Sequence, residues 1–254
     1  QVLYELRAES IVIGNEPNGK NINNGFGSTA TREAIAKVIL SNANIGIALD
    51  GDADRVIIID EKGQVVDGDQ VLALIATSWQ QEGRLRGGVV ATVMSNLGLE
   101  RYLNDSLKID FERTKVGRFV NEKMRAKNWN LGGEQSGHLI CSDHATTGDG
   151  IIGGLQVLDV LKKLRRPASE VLHVFNSVPQ KLWKFKAANA KSLLEKEHML
   201  EALDAATKKL GASGRQVVRA SGTEPIIRVM VEADNPRLVD EVGEDLIVAL
   251  GKAA

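Results

Sequence analysis

Short apolar runs alternating with amphipathic stretches dominate residues 31–164, and no other feature of the chain limits its fold as tightly. Residues 45–49, 56–60, 89–94 and 110–115 read as strands, with further short strands around Leu131 and Leu139. Residues 31–42, 69–81, 97–104, 118–127 and 148–164 carry the spacing of helices. Strands separated by helices of this length imply right-handed crossovers around a mainly parallel sheet. The basic, glycine-rich stretch 83–88 divides the alternation, so the expected fold class is α/β, with two successive mixed, mainly parallel domains.

After Arg165-Arg166-Pro167 the texture changes. Strands are expected at 180–186, 215–219 and 226–232, with helices at 191–210 and 236–250. The short link 220–225 makes the last two strands a hairpin, so a smaller α+β C-terminal domain with an antiparallel sheet follows. The expected division is 1–86, 87–177 and 178–254. At the other end, Val2, Leu3 and Leu6 fit the last turn of an amphipathic helix, leading into a strand at 10–14 and a polar loop at 15–28. A helix tail without its beginning implies that the first α/β domain is incomplete.

Composition narrows the function classes. A chain of 254 residues that is 43% hydrophobic and 26% charged has enough apolar material for packed cores, which excludes disorder as its main state. Thirty-three acidic against 32 basic residues leave a net charge of −1, so no global field draws the chain to nucleic acid or an anionic membrane. Any anion must be gripped locally. Cys141 is the single cysteine, and His138, His144, His173 and His198 lack zinc-ligand spacing. That usage fits a cytoplasmic location. No apolar run approaches the roughly 18 residues of a membrane span.

Three loops carry chemistry. Asp50-Gly51-Asp52-Ala53-Asp54-Arg55 sets three carboxylates at alternate positions directly after an apolar strand. Carboxylate oxygens are the hard ligands Mg²⁺ prefers, and three so close repel one another unless a cation sits between them. An EF-hand is excluded, because Arg55 stands where that loop needs glycine. In Gly132-Gly133-Glu134-Gln135-Ser136-Gly137-His138, a carboxylate, an amide, a hydroxyl and an imidazole crowd between two short strands. Such groups can answer a sugar's hydroxyls, although polar residues also suit an ordinary glycine-bounded turn. The third loop runs from Arg219 to Arg228, with Ser221-Gly222-Thr223 at its turn. Its N–H groups, hydroxyls and flanking arginines have the composition of a phosphate nest, or of a hairpin turn with surface arginines.

Taken jointly and in this order, DGDADR, GGEQSGH and RASGTEPIIR resemble the α-D-phosphohexomutase family over essentially the whole chain. Within that family, GEQSGH, the upstream EPNGKNINNGFGS and the ending RASGTEPIIRVMVEA are similar to the bacterial branch acting on glucosamine phosphates. The phosphomannomutase/phosphoglucomutase branch usually has GEMSGH instead.

The resemblance implies interconversion of glucosamine 6-phosphate and glucosamine 1-phosphate through a phosphoserine and a bisphosphorylated sugar, on the route to UDP-N-acetylglucosamine. Asp50, Asp52 and Asp54 would hold Mg²⁺, with Arg55 beside the transferring phosphoryl group. Glu134, Ser136 and His138 would bind the sugar. Arg219, Ser221, Gly222, Thr223 and Arg228 would hold the distant phosphate, and Lys115 would lie near the reaction. Glucosamine or glucose 1,6-bisphosphate would serve as activator and intermediate. The remaining partner would be the N-terminal phosphoserine domain, which is absent here, so the chain alone would not turn over. The sequence carries no signal for an oligomeric state. A second departure is local: the branch usually reads KVGDRYV where this chain has Lys115-Val116-Gly117-Arg118-Phe119-Val120, one aspartate shorter. A phosphomannomutase/phosphoglucomutase, or a phosphosugar-binding module without catalysis, are the alternatives.

Overall fold

The computed structural model describes residues 2–222 and 224–253. In chain order the elements are α1 (Val2–Glu5), α2 (Arg32–Leu40), β1 (Ile45–Leu49), β2 (Val56–Asp60), β3 (Val65–Val66), α3 (Gly68–Gln81) and β4 (Val89–Thr92). Then come α4 (Leu97–Arg101), β5 (Phe111–Thr114), α5 (Phe119–Lys127), β6 (Leu131–Gly133), β7 (Leu139–Cys141), α6 (Gly150–Leu164) and α7 (Ala168–Val171). The chain closes with β8 (Gln180–Lys186), α8 (Ala190–Leu194), α9 (Glu197–Leu210), β9 (Gly214–Ala220), β10 (Ile226–Ala233) and α10 (Pro236–Ala253). The α/β class and the α+β ending are as the sequence implies.

Two compact units emerge, one of residues Gln1–Val90 and Val120–Val174, the other of Ala91–Phe119 and Phe175–Ala254. In the first unit β1, β2 and β3 form an antiparallel sheet in that order. Antiparallel pairing follows from the connections, since loops of a few residues cannot make the crossover that parallel strands need. Asp60 closes the second connection: its buried Oδ1 accepts the N–H groups of Lys62 (2.9 Å) and Gln64 (2.8 Å). Every residue of β2 is buried, and fully burying a Val or Ile side chain contributes roughly 1.5–3 kcal/mol. Helix α6 packs close to β2 and β7 through Gly153, where an added Cβ would come within 2.9 Å of Leu139 and 3.1 Å of Val56. Parallel pairing does occur, between β4 and β6, while β6 and β7 are antiparallel.

The second unit is built on the antiparallel sheet β8-β10-β9. Ile227, Val229 and Val231 alternate along β10 and join Met199, Leu210, Val242 and Leu246 of α9 and α10 in one core. The other face carries a buried ion pair between Arg215 and Glu232. Arg215 also donates to the carbonyls of Val93 (2.9 Å) and Ser95 (2.6 Å), and Glu232 accepts the Leu97 N–H (3.1 Å). Burial holds the Glu232 carboxyl above its ordinary range, against the pull of Arg215.

Three features differ from the sequence reading: the sheet β1-β2-β3, expected to be mainly parallel, is antiparallel because short loops join its strands. The strand expected at 10–14 does not form; Ile11 is 55% and Val12 65% exposed, and no other strand among the described residues pairs with them. A strand without a ladder leaves its backbone to water. The helix expected at 191–210 is broken between α8 and α9, where Lys196 takes extended backbone angles.

Candidate active site

The β1–β2 register, Leu49 opposite Val56, leaves Asp50 to Arg55 as the loop joining the two strands. Its backbone turns through Ala53, whose φ of 56° is left-handed, and is braced by Ala53 N–H to Asp50 C=O (3.0 Å) and Arg55 N–H to Asp50 Oδ1 (3.0 Å). That bracing gathers Asp50, Asp52 and Asp54 so that one oxygen from each lies within 4.8 Å of the others. Arg55 Nε sits 3.7 Å from Asp50 and 3.8 Å from Asp54, offsetting part of their charge. Three convergent carboxylate oxygens are a donor set that fits Mg²⁺.

The Glu134–His138 loop is the turn between β6 and β7. Glu134 N–H donates to His138 C=O (2.9 Å) and Gly137 N–H to Glu134 C=O (3.0 Å), a tight fold that brings Ser136 Oγ within 3.2 Å of Glu134 Oε2. The loop is fixed on two sides. Gln135 donates to Asp67 Oδ2 (3.2 Å), and Asp67 also caps α3 by accepting the Gln70 N–H (3.1 Å). Burial raises the Asp67 carboxyl above its ordinary range, the two hydrogen bonds opposing. On the other side Val56 N–H donates to Gly137 C=O (3.0 Å), Arg55 and His138 form a β-bridge, and His138 Nδ1 lies 3.0 Å from Asp54 Oδ2. The Asp50–Arg55 and Glu134–His138 loops, separate in sequence, thus form one polar surface inside one unit.

The third loop and Lys115 belong to the other unit. Arg219 and Arg228 are direct register partners on β9 and β10. Ser221 N–H donates to Ile226 C=O (2.9 Å), and Ser221 Oγ accepts the Glu224 N–H (3.3 Å). Gly222 is exposed at the turn, Arg228 pairs with Glu224 at 2.7 Å, and Thr223 lies outside the described residues. Sequence reasoning missed Lys184, the partner of Arg228 on β8, which extends the pair into a row of three cations. Only the strand register could have revealed it. Lys115 and Arg118 are exposed and flank the Phe119 ring at 5.8 and 5.4 Å.

Residues 67–178 match the model of phosphoglucomutase/phosphomannomutase alpha/beta/alpha domain III, and residues 182–248 match the model of the same family's C-terminal domain. The chain belongs to the phosphoglucomutase/phosphomannomutase family. Its relatives include the phosphoglucosamine mutases of Bradyrhizobium sp. (strain ORS 278), 54% identical over 256 residues, and of Beijerinckia indica, 54% identical over 255. These alignments take in 100% of this chain but 57% and 56% of the relatives, so the chain spans little more than half their length. Among solved structures, a phosphoglucomutase/phosphomannomutase family protein of Burkholderia thailandensis superposes with a TM-score of 0.79, at 23% identity, over 99% of this chain and 57% of its own. Aspergillus fumigatus N-acetylphosphoglucosamine mutase, solved with GlcNAc-6P and magnesium, gives 0.72 at 22% identity, over 91% and 53%. At these identities the superpositions speak for the fold of this family member. No helix among the described residues is long and apolar enough to cross a membrane.

Proposed function

We propose that this chain provides the metal, sugar and phosphate loops of a cytoplasmic phosphosugar mutase that interconverts glucosamine 6-phosphate and glucosamine 1-phosphate, supplying UDP-N-acetylglucosamine synthesis. The observation that carries the reading is the joined surface of the first unit, where the carboxylates of Asp50, Asp52 and Asp54 meet the loop of Glu134, Ser136 and His138. The choice of glucosamine rests on the 54% identity to phosphoglucosamine mutases.

In this reading Asp50, Asp52 and Asp54 hold Mg²⁺, which when bound supplies positive charge to the transferring phosphoryl oxygens. The Aspergillus complexes with magnesium and with glucose 1,6-bisphosphate support both ligands for the fold. Arg55 adds a guanidinium beside the carboxylates. Glu134 accepts from, and Ser136 donates to, sugar hydroxyls. Arg219, Ser221, Gly222, Thr223 and Arg228 hold a phosphate of the sugar. Lys115 is assigned a place near the reaction. The division 1–86, 87–177 and 178–254 matches these three tasks, one loop to each part.

A phosphoserine in the portion of the longer relatives that this chain does not span would donate the phosphoryl group. Its P–O bond breaks as the sugar hydroxyl gains the phosphoryl, giving the bisphosphate, and the original phosphate then returns to the serine. The chain alone should therefore bind glucosamine 6-phosphate without turnover. Fusing it to the remaining portion of the Bradyrhizobium relative should restore mutase activity, with kcat/KM highest for glucosamine 6-phosphate. A fusion preferring mannose or glucose 6-phosphate would overturn the substrate, and turnover by the chain alone would overturn the donor.

A further inference from the structure

We propose that His138 is a positioning residue for the metal loop, and that Gly148 holds it in place. The inference rests on the reading of Asp50, Asp52 and Asp54 as the ligands of a divalent cation.

His138 Nδ1 lies 3.0 Å from Asp54 Oδ2. A carboxylate can only accept, so the contact fixes the hydrogen on Nδ1. The other Asp54 oxygen, Oδ1, stands 3.8 Å from Arg55 Nε. Imidazole on one oxygen and guanidinium near the other set the carboxylate plane, so Asp54 meets a cation without first losing side-chain freedom.

The ring is held by absence of a side chain. A Cβ on the buried Gly148 would fall 2.3 Å from His138 Cε1 and 2.5 Å from each ring nitrogen. Gly148 has no left-handed backbone to protect, so an alanine there acts through this collision alone. Neither side can yield cheaply. Asp149 N–H donates to Leu139 C=O (3.2 Å), Gly150 N–H to Ala53 C=O (2.8 Å), and the Asp149 side chain caps α6 through the Ile152 N–H (2.9 Å). His138 is tied by its bridge to Arg55. The loop before α6 thus meets the imidazole at Gly148, while Asp149 caps the helix.

Two measurements on the whole chain decide the matter. Without metal, ¹⁵N imidazole spectra should show His138 in the Nδ1–H tautomer in the wild type and lose that signature in G148A. By Mn²⁺ titration followed by electron paramagnetic resonance, G148A and H138F should bind roughly 10-fold or more weakly, while H138N, which keeps a donor at the same reach, should recover most of the affinity. Should G148A fail to fold, H138F against H138N still decides. Wild-type affinity in both G148A and H138F, or a wild-type ring without the Nδ1–H tautomer, would overturn the proposal. Wild-type Mn²⁺ binding that survives D52N would instead overturn the metal reading, leaving the metal-free spectra to judge the positioning.

Discussion

Arg219 and Arg228 stand directly opposite each other across β9 and β10, with Lys184 next in the same row on β8. Like charges facing across strands cost stability, and an anion over the row turns that cost into binding. R219A and R228A should each weaken glucosamine 6-phosphate binding roughly 10- to 100-fold, since a hydrogen bond to a charged group is worth about 1.5–3 kcal/mol. In phosphate-free buffer R228A also loses the partly exposed Glu224 pair, worth about 0–1 kcal/mol, so its melting temperature should shift little, and K184A should weaken binding in smaller measure. Calorimetric titration and thermal melts with and without phosphate check this.

If the Asp50–Arg55 loop holds a cation as proposed, it has a similar double sign. Millimolar Mg²⁺ should raise the melting temperature of the wild type, because a ligand bound only by the folded state stabilises it. D52N should abolish the rise. In chelator, however, D52N should melt at or above the wild-type temperature, having lost one of three crowded carboxylates.

Asp67 ties the Glu134–His138 loop to α3 and should reveal itself through pH. Its folded pKa is raised by burial, so the folded state binds the proton more tightly than the unfolded one. Asp67 therefore imposes no penalty below its unfolded pKa, and a penalty that grows as pH rises through the folded value. D67N keeps a cap and removes the titration, so its stability relative to the wild type should improve as pH climbs through the weakly acidic range. D67A should lose about 1 kcal/mol with the cap. Urea melts across pH 4 to 8 test both.

Glu232 is 0% exposed, and its partner Arg215 is largely buried. Removing either partner strands a buried charge, so E232A or R215A should cost about 3–5 kcal/mol in urea unfolding, far more than R166A, whose ion pair to Glu170 is exposed.

Cys141 is 2% exposed, and burial pushes its thiol up to about 12. The native chain should resist iodoacetamide at pH 8, and labelling should begin only with denaturant. Rapid labelling of the native chain would contradict the placement of β7.

Much of this was legible from residues alone. DGDADR and GGEQSGH are local, and the chemistry of a carboxylate cluster or a polar glycine turn needs no partner to be recognised. Their union was not legible, because Asp54 and His138 are 84 positions apart and meet only through the packing of β2 beside the β6–β7 turn. Lys184 was hidden for the same reason: cross-strand register is a property of three strands together. Residues 10–14 misled in the opposite way, since Ile11 and Val12 have strand propensity but no partner strand among the described residues. The break at Lys196 lies within a sequence whose helical spacing gives no warning of it.

The grip of Arg215 and Glu232 on residues 93–97 has a practical consequence for dissecting this protein. The family's C-terminal match begins at residue 182, which invites excision there. A piece cut at that point would leave behind the Val93 and Ser95 carbonyls and the Leu97 N–H, exposing to water a charged pair that is largely buried in the intact fold. Any dissection that keeps the Arg215–Glu232 pair satisfied must retain residues 93–97 with the C-terminal sheet. Homology marks where a module recurs among proteins; here the polar ledger inside the fold marks where it can be taken apart.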